Sequence, residues 1–160
     1  MYSAPEKLQD GRYFVRVDPA FYVQLQSVTV GEFGQSDTIV HGDMTKIAAV
    51  DSQLIDDAVE HSKEWFSKEI SKDTISKYYQ SSIEDSSVQV TAVKPVFFAP
   101  NKEVTKTPPA PGAICTVLLQ LEGLWFLKRS FGPVWKLVQV RERKHVEPVK
   151  CMIDDSDEDA

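Results

Sequence analysis

Residues 112–144 read GAICTVLLQLEGLWFLKRSFGPVWKLVQVRERK, and this stretch predicts three consecutive β-strands. Aliphatic and β-branched residues fill the first strand, 114–121, and such residues pack well on a half-buried pleated surface. Turns are predicted at Glu122-Gly123 and at 130–133, so the second and third strands are placed at 124–129 and 134–141.

The same stretch alternates aromatic side chains with cations. The aromatic residues are Trp125, Phe126, Phe131 and Trp135, and the cations are Lys128, Arg129, Lys136, Arg141, Arg143 and Lys144. An exposed aromatic ring beside a cation can stack on a nucleic-acid base while the cation contacts a phosphate. The pattern therefore predicts a nucleic-acid interface, with a hairpin whose cations merely solvate a sheet edge as the alternative.

The four aromatic residues differ in their expected burial. Trp125 and Phe126 are consecutive, so in a strand they point to opposite faces and at least one belongs to the core. Phe131 falls in a predicted turn and is expected to be exposed, whereas Trp135 fits the core and the surface equally well.

Size and composition favour a soluble globular protein with one domain. The 160 residues are 42% hydrophobic and 26% charged, and no apolar run approaches the roughly 18 residues of a membrane span. The N-terminus lacks the apolar region of a secretory signal, and Cys115 and Cys151 lack CxxC spacing. We expect an intracellular protein with free thiols, no membrane partner, a domain at 1–150 and a tail at 151–160.

Charge is distributed unevenly along the chain. The net charge is -6, but segment 128–150 has seven cations against two acids, a net of +5. The tail that follows is acidic, so the two segments are expected to repel different partners. Its residues are Asp154, Asp155, Ser156, Asp157, Glu158 and Asp159. Ser156 stands before three acids, and its phosphorylation by an acid-directed kinase would make the tail more negative.

The rest of the chain predicts short strands around a helical segment. We predict strands at 12–17, 21–30, 38–40, 46–50 and 88–98. Asp18-Pro19 is expected to form a turn between the first two strands, and Pro95 to mark an edge or a bulge in the last. A long loop is predicted at 100–112 because that segment is rich in proline.

Two helices are predicted in the middle of the chain. Asp51-Ser52 can cap the first, whose apolar face includes Trp65 and Phe66 as core residues. Asp73 can cap the second, at 74–80, where one of the adjacent tyrosines 78 and 79 is expected at the surface.

The sequence shows no signature of catalysis or of a cofactor. His41, His61 and His145 lack metal-ligand spacing, and there is no phosphate loop or nucleophile elbow. Asp57 and His61 are four residues apart on a predicted helix, so a metal site is conceivable there, but a solvated helix face is the favoured interpretation. We expect a non-enzymatic protein without a metal or another cofactor.

Three segments of the basic and aromatic stretch also resemble a known family. Segments 123–126, 130–132 and 135–140 resemble the C-terminal pattern of single-stranded-DNA-binding proteins from large eukaryotic DNA viruses, which are related to replication proteins of short-tailed phages. The helical segments 64–68 and 75–81 are similar to the family as well. The resemblance covers roughly residues 12–145 and the acidic tail.

The resemblance implies a mainly β, OB-like five-stranded barrel with an inserted helical segment and a disordered acidic C-terminal tail. It implies sequence-independent binding of single-stranded DNA in viral DNA replication and recombination, in the host nucleus or at a cytoplasmic replication site, and it allows a homodimer. The tail would occupy the DNA groove and, once DNA displaces it, contact replication proteins. The chain departs from the family at Ala160, where many members end in an aromatic residue.

Two other functions are compatible with the same residues. The protein can be an interaction or virion structural module that docks basic partners through its acidic tail. It can also be an RNA-binding protein, because OB folds serve both nucleic acids.

Overall fold

A computed structural model describes residues 2–33, 36–110 and 112–143. The strands in these ranges are β1 (Glu6–Lys7), β2 (Tyr13–Val30), β3 (Asp37–His41), β4 (Ile83–Glu84), β5 (Ser87–Thr91), β6 (Val96–Phe98), β7 (Val104–Thr105), β8 (Cys115–Leu127) and β9 (Ser130–Glu142). The helices are α1 (Thr45–Glu60), α2 (Ser62–Phe66) and α3 (Lys72–Tyr78). The predicted acidic tail, His145 and Lys144 lie outside the described residues.

Five strands pair in a closed ring. Strand β2 pairs antiparallel with β3 and β8, β3 pairs with β5, and β8 pairs with β9. A parallel bridge between Thr91 of β5 and Lys136 of β9 closes the ring. The three helices are inserted between β3 and β5, and β6 and β7 extend the sheet beyond β9. The predicted mainly β architecture with a five-stranded closed sheet and a helical insertion is confirmed.

The core lies between the inner face of this ring and the helices. Alternate residues of β8 point inward, as the buried Val117, Leu119 and Leu121 show. From the helices, Ile47 and Leu54 are fully or almost fully buried against them. Burying one such side chain contributes about 1.5–3 kcal/mol, so the helical insertion is a structural part of the domain.

Strand β8 runs through the segment where the sequence predicted a turn. At Glu122-Gly123 the register to β9 shifts between Leu121 and Gly123, which is a bulge within one strand. Both neighbours, β2 and β9, pair with β8 on either side of this point, and that pairing keeps the strand continuous. The predicted turn at 130–133 is also wrong, because the hairpin turns at Lys128-Arg129 and β9 starts directly afterwards.

Strand β2 is likewise continuous where two strands were predicted. Between Arg16 and Phe21 its register against β8 shifts, and Asp18-Pro19 lies in the resulting irregularity. A bulge tolerates proline because the local ladder does not need its missing N–H group. The predicted turn is therefore a bulge in a strand that spans Tyr13–Val30.

The predicted strand at 46–50 is wrong, because these residues form the first turns of α1. Helix α1 already begins at Thr45, with Met44 at its N-cap position, so Asp51-Ser52 lies inside the helix and does not cap it. Ile47, Asp51 and Leu54 follow the helical spacing and are all buried on one face.

Three further boundaries differ slightly from the predictions. Helix α3 is capped by Ser71, whose hydroxyl accepts from the amide of Thr74, and not by Asp73. The predicted strand 88–98 is divided into β5 and β6 near Pro95, and the predicted loop 100–112 contains the short strand β7.

Helix α1 buries two carboxylates that bind tyrosine hydroxyl groups. Asp51 accepts from the hydroxyl of Tyr79 and, at 2.5 Å, from that of Ser81. Burial raises the pKa of Asp51 above its usual value, although both hydrogen bonds oppose that shift. Burial also raises the pKa of Tyr79, and its bond to the Asp51 carboxylate adds to this.

Asp57 is the second of these carboxylates. It accepts from the hydroxyl of Tyr2 and, at 2.8 Å, from the amide of Gln53, and it is 8% exposed. The prediction of a solvated helix face is therefore wrong for Asp57. Burial, followed by the bond to Asp57, raises the pKa of Tyr2.

Within the described ranges, His, Cys, Asp and Glu nowhere form a group of three or more that could hold a metal ion. None of the helices there combines the length and apolar character needed to cross a membrane.

Candidate nucleic-acid interface

The outer face of β2, β8 and β9 is the surface on which the predicted site residues converge. Residues that alternate with the core positions along each strand point away from the core, and the strand register places them in rows across the three strands. We name a set of residues on this surface the outer strip: Phe14, Arg16, Tyr22, Gln24, Leu118, Gln120, Trp125, Lys136, Gln139 and Arg141. Glu122 lies on the same face, beside Lys136. At about 3.3 Å per residue the strip extends about 30 Å along β8, from Thr116, the register partner of Arg141, to Trp125.

Two aromatic rings of the outer strip lie over glycines of neighbouring strands. A Cβ atom added to Gly123 would come within 2.6 Å of Phe14 Cζ, so the phenyl ring lies directly above that glycine. A Cβ atom added to Gly132 would be 3.1 Å from both Cε2 and Cζ2 of Trp125. Phe14 and Trp125 are register partners on β2 and β8, so the two rings are neighbours. Both side chains are half-buried, so part of each remains accessible to a stacked base.

A third aromatic residue of the strip lies closer to the cations. Tyr22 is 49% exposed and shares a row with Gln120 and Lys136. Lys136 Nζ is 3.9 Å from Glu122, and both side chains are more than a third exposed. An exposed pair at that distance contributes little, so Lys136 stays available to a phosphate.

A cleft opens at the end of the outer strip farthest from Trp125. Phe98 and Lys102 of the β6–β7 hairpin form one wall, and Gln24, Leu118 and Arg141 belong to the other. The described residues that line the cleft include two cations and no carboxylate. Cations beside neutral polar and apolar side chains are suited to a phosphate with its attached sugar and base.

The remaining predicted cations lie at the two ends of the hairpin. Lys128 and Arg129 are exposed in the turn between β8 and β9. At the opposite end, Arg143 Nη1 donates a bond of 2.6 Å to the hydroxyl of Ser27 on β2. The structure thus places Trp125, Lys136 and Arg141 on the same outer face, with Trp125 and Arg141 towards opposite ends of it and Lys128, Arg129 and Arg143 beyond it.

Three of the four predicted aromatic residues belong to the core. Phe126 is 3% exposed, Phe131 is 0% and Trp135 is 1%, so none of them can stack on a base in this structure. The prediction that Phe131 is exposed is wrong, because it lies within β9 and its ring stacks on Phe126 at 5.4 Å. Phe66 of the helical insertion covers both rings.

The contribution of β2 to this surface is not evident from the sequence. Phe14, Arg16 and Tyr22 supply two rings and a cation, yet none of them belongs to the basic stretch. The alternation in 12–17 does place Phe14 and Arg16 on one face, but only the pairing of β2 with β8 shows that this face continues the hairpin's outer face.

The fold and the strip define a class of protein: a closed five-stranded sheet with a helical insertion and a basic, aromatic outer face. The single-stranded DNA-binding protein from bacteriophage Enc34 has a similar fold, with a TM-score of 0.50, 12% identity, and coverage of 100% of this chain and 99% of that chain. Its C-terminal truncation gives a TM-score of 0.49 at 12% identity, with 92% and 97% covered. Its complex with single-stranded DNA gives 0.48 at 12% identity, with 91% and 97% covered.

Residues 23–154 match the family model of a family of unknown function, DUF5871. The chain belongs to this family. No curated protein sequence matches the chain.

Proposed function

We propose that this protein binds single-stranded DNA without sequence preference along the outer strip. The observation that carries the proposal is the pair of rings, Phe14 and Trp125, which lie against the sheet over glycines and on the same outer face as Lys136 and Arg141. The phage protein of similar fold is a single-stranded DNA-binding protein, which supports this choice of ligand.

The chemistry of the strip explains why binding would not depend on sequence. Every base offers a π-face to Phe14, Tyr22 or Trp125, and each stacked base contributes about 1–3 kcal/mol. Arg16, Lys136 and Arg141 would contact phosphates, which are the same at every nucleotide. Duplex DNA hides its bases within the stack, so it cannot use the rings and is expected to bind more weakly.

The finer role follows from the resemblance of the hairpin to the viral family. We place the protein in viral DNA replication and recombination, where it protects single strands. The acidic segment 154–159 carries five carboxylates and would compete with DNA for the cations of the strip, then contact replication proteins when DNA displaces it. A non-enzymatic role is consistent with this proposal.

Fluorescence anisotropy tests the proposal with a labelled single strand of about 30 nucleotides, longer than one OB-type site. The same strand is measured as a duplex and as RNA. We expect preferential binding of the single DNA strand and an affinity that falls steeply with salt, because phosphate contacts release counterions. Equal or tighter binding of RNA would favour the RNA-binding alternative, since only RNA offers 2′-hydroxyl groups.

The role of the tail is tested on the full chain. In one variant the five carboxylates of 154–159 are replaced by Asn or Gln. We expect this variant to bind single-stranded DNA more tightly than the wild type, whereas equal affinity would contradict competition by the tail. If neither protein binds any oligonucleotide, the interaction-module alternative is favoured.

A further inference from the structure

A second basic pocket lies where the β8–β9 turn meets the helical insertion. Lys68 follows α2, Tyr78 ends α3, and Lys128 and Arg129 form the turn. Together with Phe66 they line one pocket, which we name the turn pocket. Its residues come from three separate segments, so the tertiary structure is what brings these cations together.

The aromatic side of the turn pocket is fixed by the core. The Phe66 ring packs edge-on against Phe126 and Phe131, with centroids 5.4 and 5.5 Å away. Tyr78 lies 6.1 Å from Phe66 and is tilted by 55°. Both pocket rings are half-buried. Rings braced in this way are preorganised for stacking because little rotamer entropy remains to be lost on binding.

The cationic side has no neutralising partner among the residues that the structure describes. Among the described residues that line the turn pocket there is no carboxylate, and none of the ion pairs formed by described residues involves Lys68, Lys128 or Arg129. The nearest acid in sequence, Glu69, pairs with Lys63 at 3.7 Å instead. Three like charges gathered in one pocket repel each other, so the pocket favours an anion.

We infer that the turn pocket binds a nucleotide unit of the single strand that lies on the outer strip, with its phosphate on the cations and its base against Tyr78. This inference rests on the proposed function. Its second support is continuity: Trp125 and Leu127 alternate along β8 on the outer face, and Lys128 follows directly. A strand that stacks on Trp125 therefore reaches the turn with its next nucleotides, and the helical insertion extends the DNA site.

Lys68→Ala tests the inference, because Lys68 belongs to the helical insertion and not to the strip. The matched control is Lys72→Ala, which removes the same charge from an exposed lysine of the same insertion that pairs with Asp56 and does not line the turn pocket. Affinity for the strand of about 30 nucleotides is measured from about 50 to about 200 mM salt, and each lost phosphate contact lowers the salt slope by about 0.7. We expect this reduction for Lys68→Ala and an unchanged slope for Lys72→Ala.

Photo-crosslinking locates the base independently. An oligonucleotide carries 5-iododeoxyuridine near one end or the other, and the crosslinked peptides are identified by mass spectrometry. We expect one of the two positions to crosslink to the peptide that contains Tyr78, and we expect Tyr78→Leu to abolish that product. Crosslinks confined to peptides of β2 and β8 would overturn the inference.

The outcomes separate this inference from the proposed function. If the wild type ignores single-stranded DNA, the proposed function fails. If strip variants weaken binding while Lys68→Ala does not, only the inference fails. Lys68→Ala is also made in the full-chain variant whose acids at 154–159 are neutralised. If Lys68→Ala alters the salt slope only when those acids are present, the turn pocket binds the acidic segment and not a nucleotide, which also overturns the inference.

Discussion

Replacing Trp125 with alanine is expected to weaken the binding of single-stranded DNA by about 5- to 150-fold. The range follows from one lost base stack, about 1–3 kcal/mol, at about 1.4 kcal/mol for each factor of ten. The structure supports one stack at this position because the indole lies against Gly132 and only part of it is accessible. Anisotropy at fixed salt measures the loss, and a urea titration verifies that the variant is folded.

Intrinsic fluorescence provides a second readout of the same stack. Trp65 and Trp135 are 8% and 1% exposed, so Trp125 is the tryptophan that a bound base can quench. We expect DNA to quench the wild type. Trp125→Phe should retain most of the affinity, since a ring remains, and lose the quenching.

Tyr13→Ala is the matched control for the loss of an exposed ring. Tyr13 is 46% exposed and precedes Phe14 in β2, so it points away from the outer strip. Its removal should leave the affinity unchanged. Base stacking on Trp125 would be contradicted if Trp125→Ala bound DNA as tightly as Tyr13→Ala, or if DNA left the wild-type fluorescence unaltered.

Three further predictions concern the fold itself. Gly132→Ala should lower the free energy of unfolding by about 1–3 kcal/mol, because the new methyl group would lie 2.5 Å from the backbone oxygen of Gln80. A urea titration measures this loss, and unchanged stability would contradict the close approach. Burial, with a nearby carboxylate as a lesser cause, raises the pKa of Cys115 to about 11 from 9.0. In a Cys151→Ser variant, thiol reagents should therefore label the protein only in denaturant. Rapid labelling without denaturant would contradict the burial of Cys115. The folded-state pKa of Asp51 is raised, so the stability this carboxyl contributes is present below its unfolded pKa of 3.8 and is lost as pH rises through the folded value. Urea titrations from acidic to neutral pH should therefore show Asp51→Asn gaining stability relative to the wild type as pH rises, and a constant difference would count against the shift.

The sheet could be predicted from the sequence where the pattern is local. Alternation along 114–121 and 134–141 places residues such as Val117 and Leu137 inward without knowledge of any partner strand. The bulges at Asp18-Pro19 and Gly123 could not be distinguished from turns, because proline and glycine mark both. Pairing with a distant strand decides between them, and that pairing is not a local property.

The candidate site was only partly predictable for the same reason. Phe131 is buried by Phe66 and Tyr79, which lie in the helical insertion more than 50 positions earlier in the chain. Phe14 became part of the site through its register with Trp125. The cations Lys136 and Arg141 were found because the alternation of β9 keeps such side chains outside the core whichever partners the strand has.

The most direct test of single-strand binding on the outer strip compares the salt dependence of the wild type with that of Lys136→Ala/Arg141→Ala. We expect the wild type to bind a single strand in preference to its duplex, and the double variant to lower the salt slope by about 1.4, or about 0.7 for each lost phosphate contact. Lys63→Ala/Lys72→Ala removes the same charge from exposed, ion-paired lysines of the helices and should leave the slope unchanged. Failure of the wild type to bind the single strand, or an equal lowering of the slope by both double variants, would contradict binding on the outer strip.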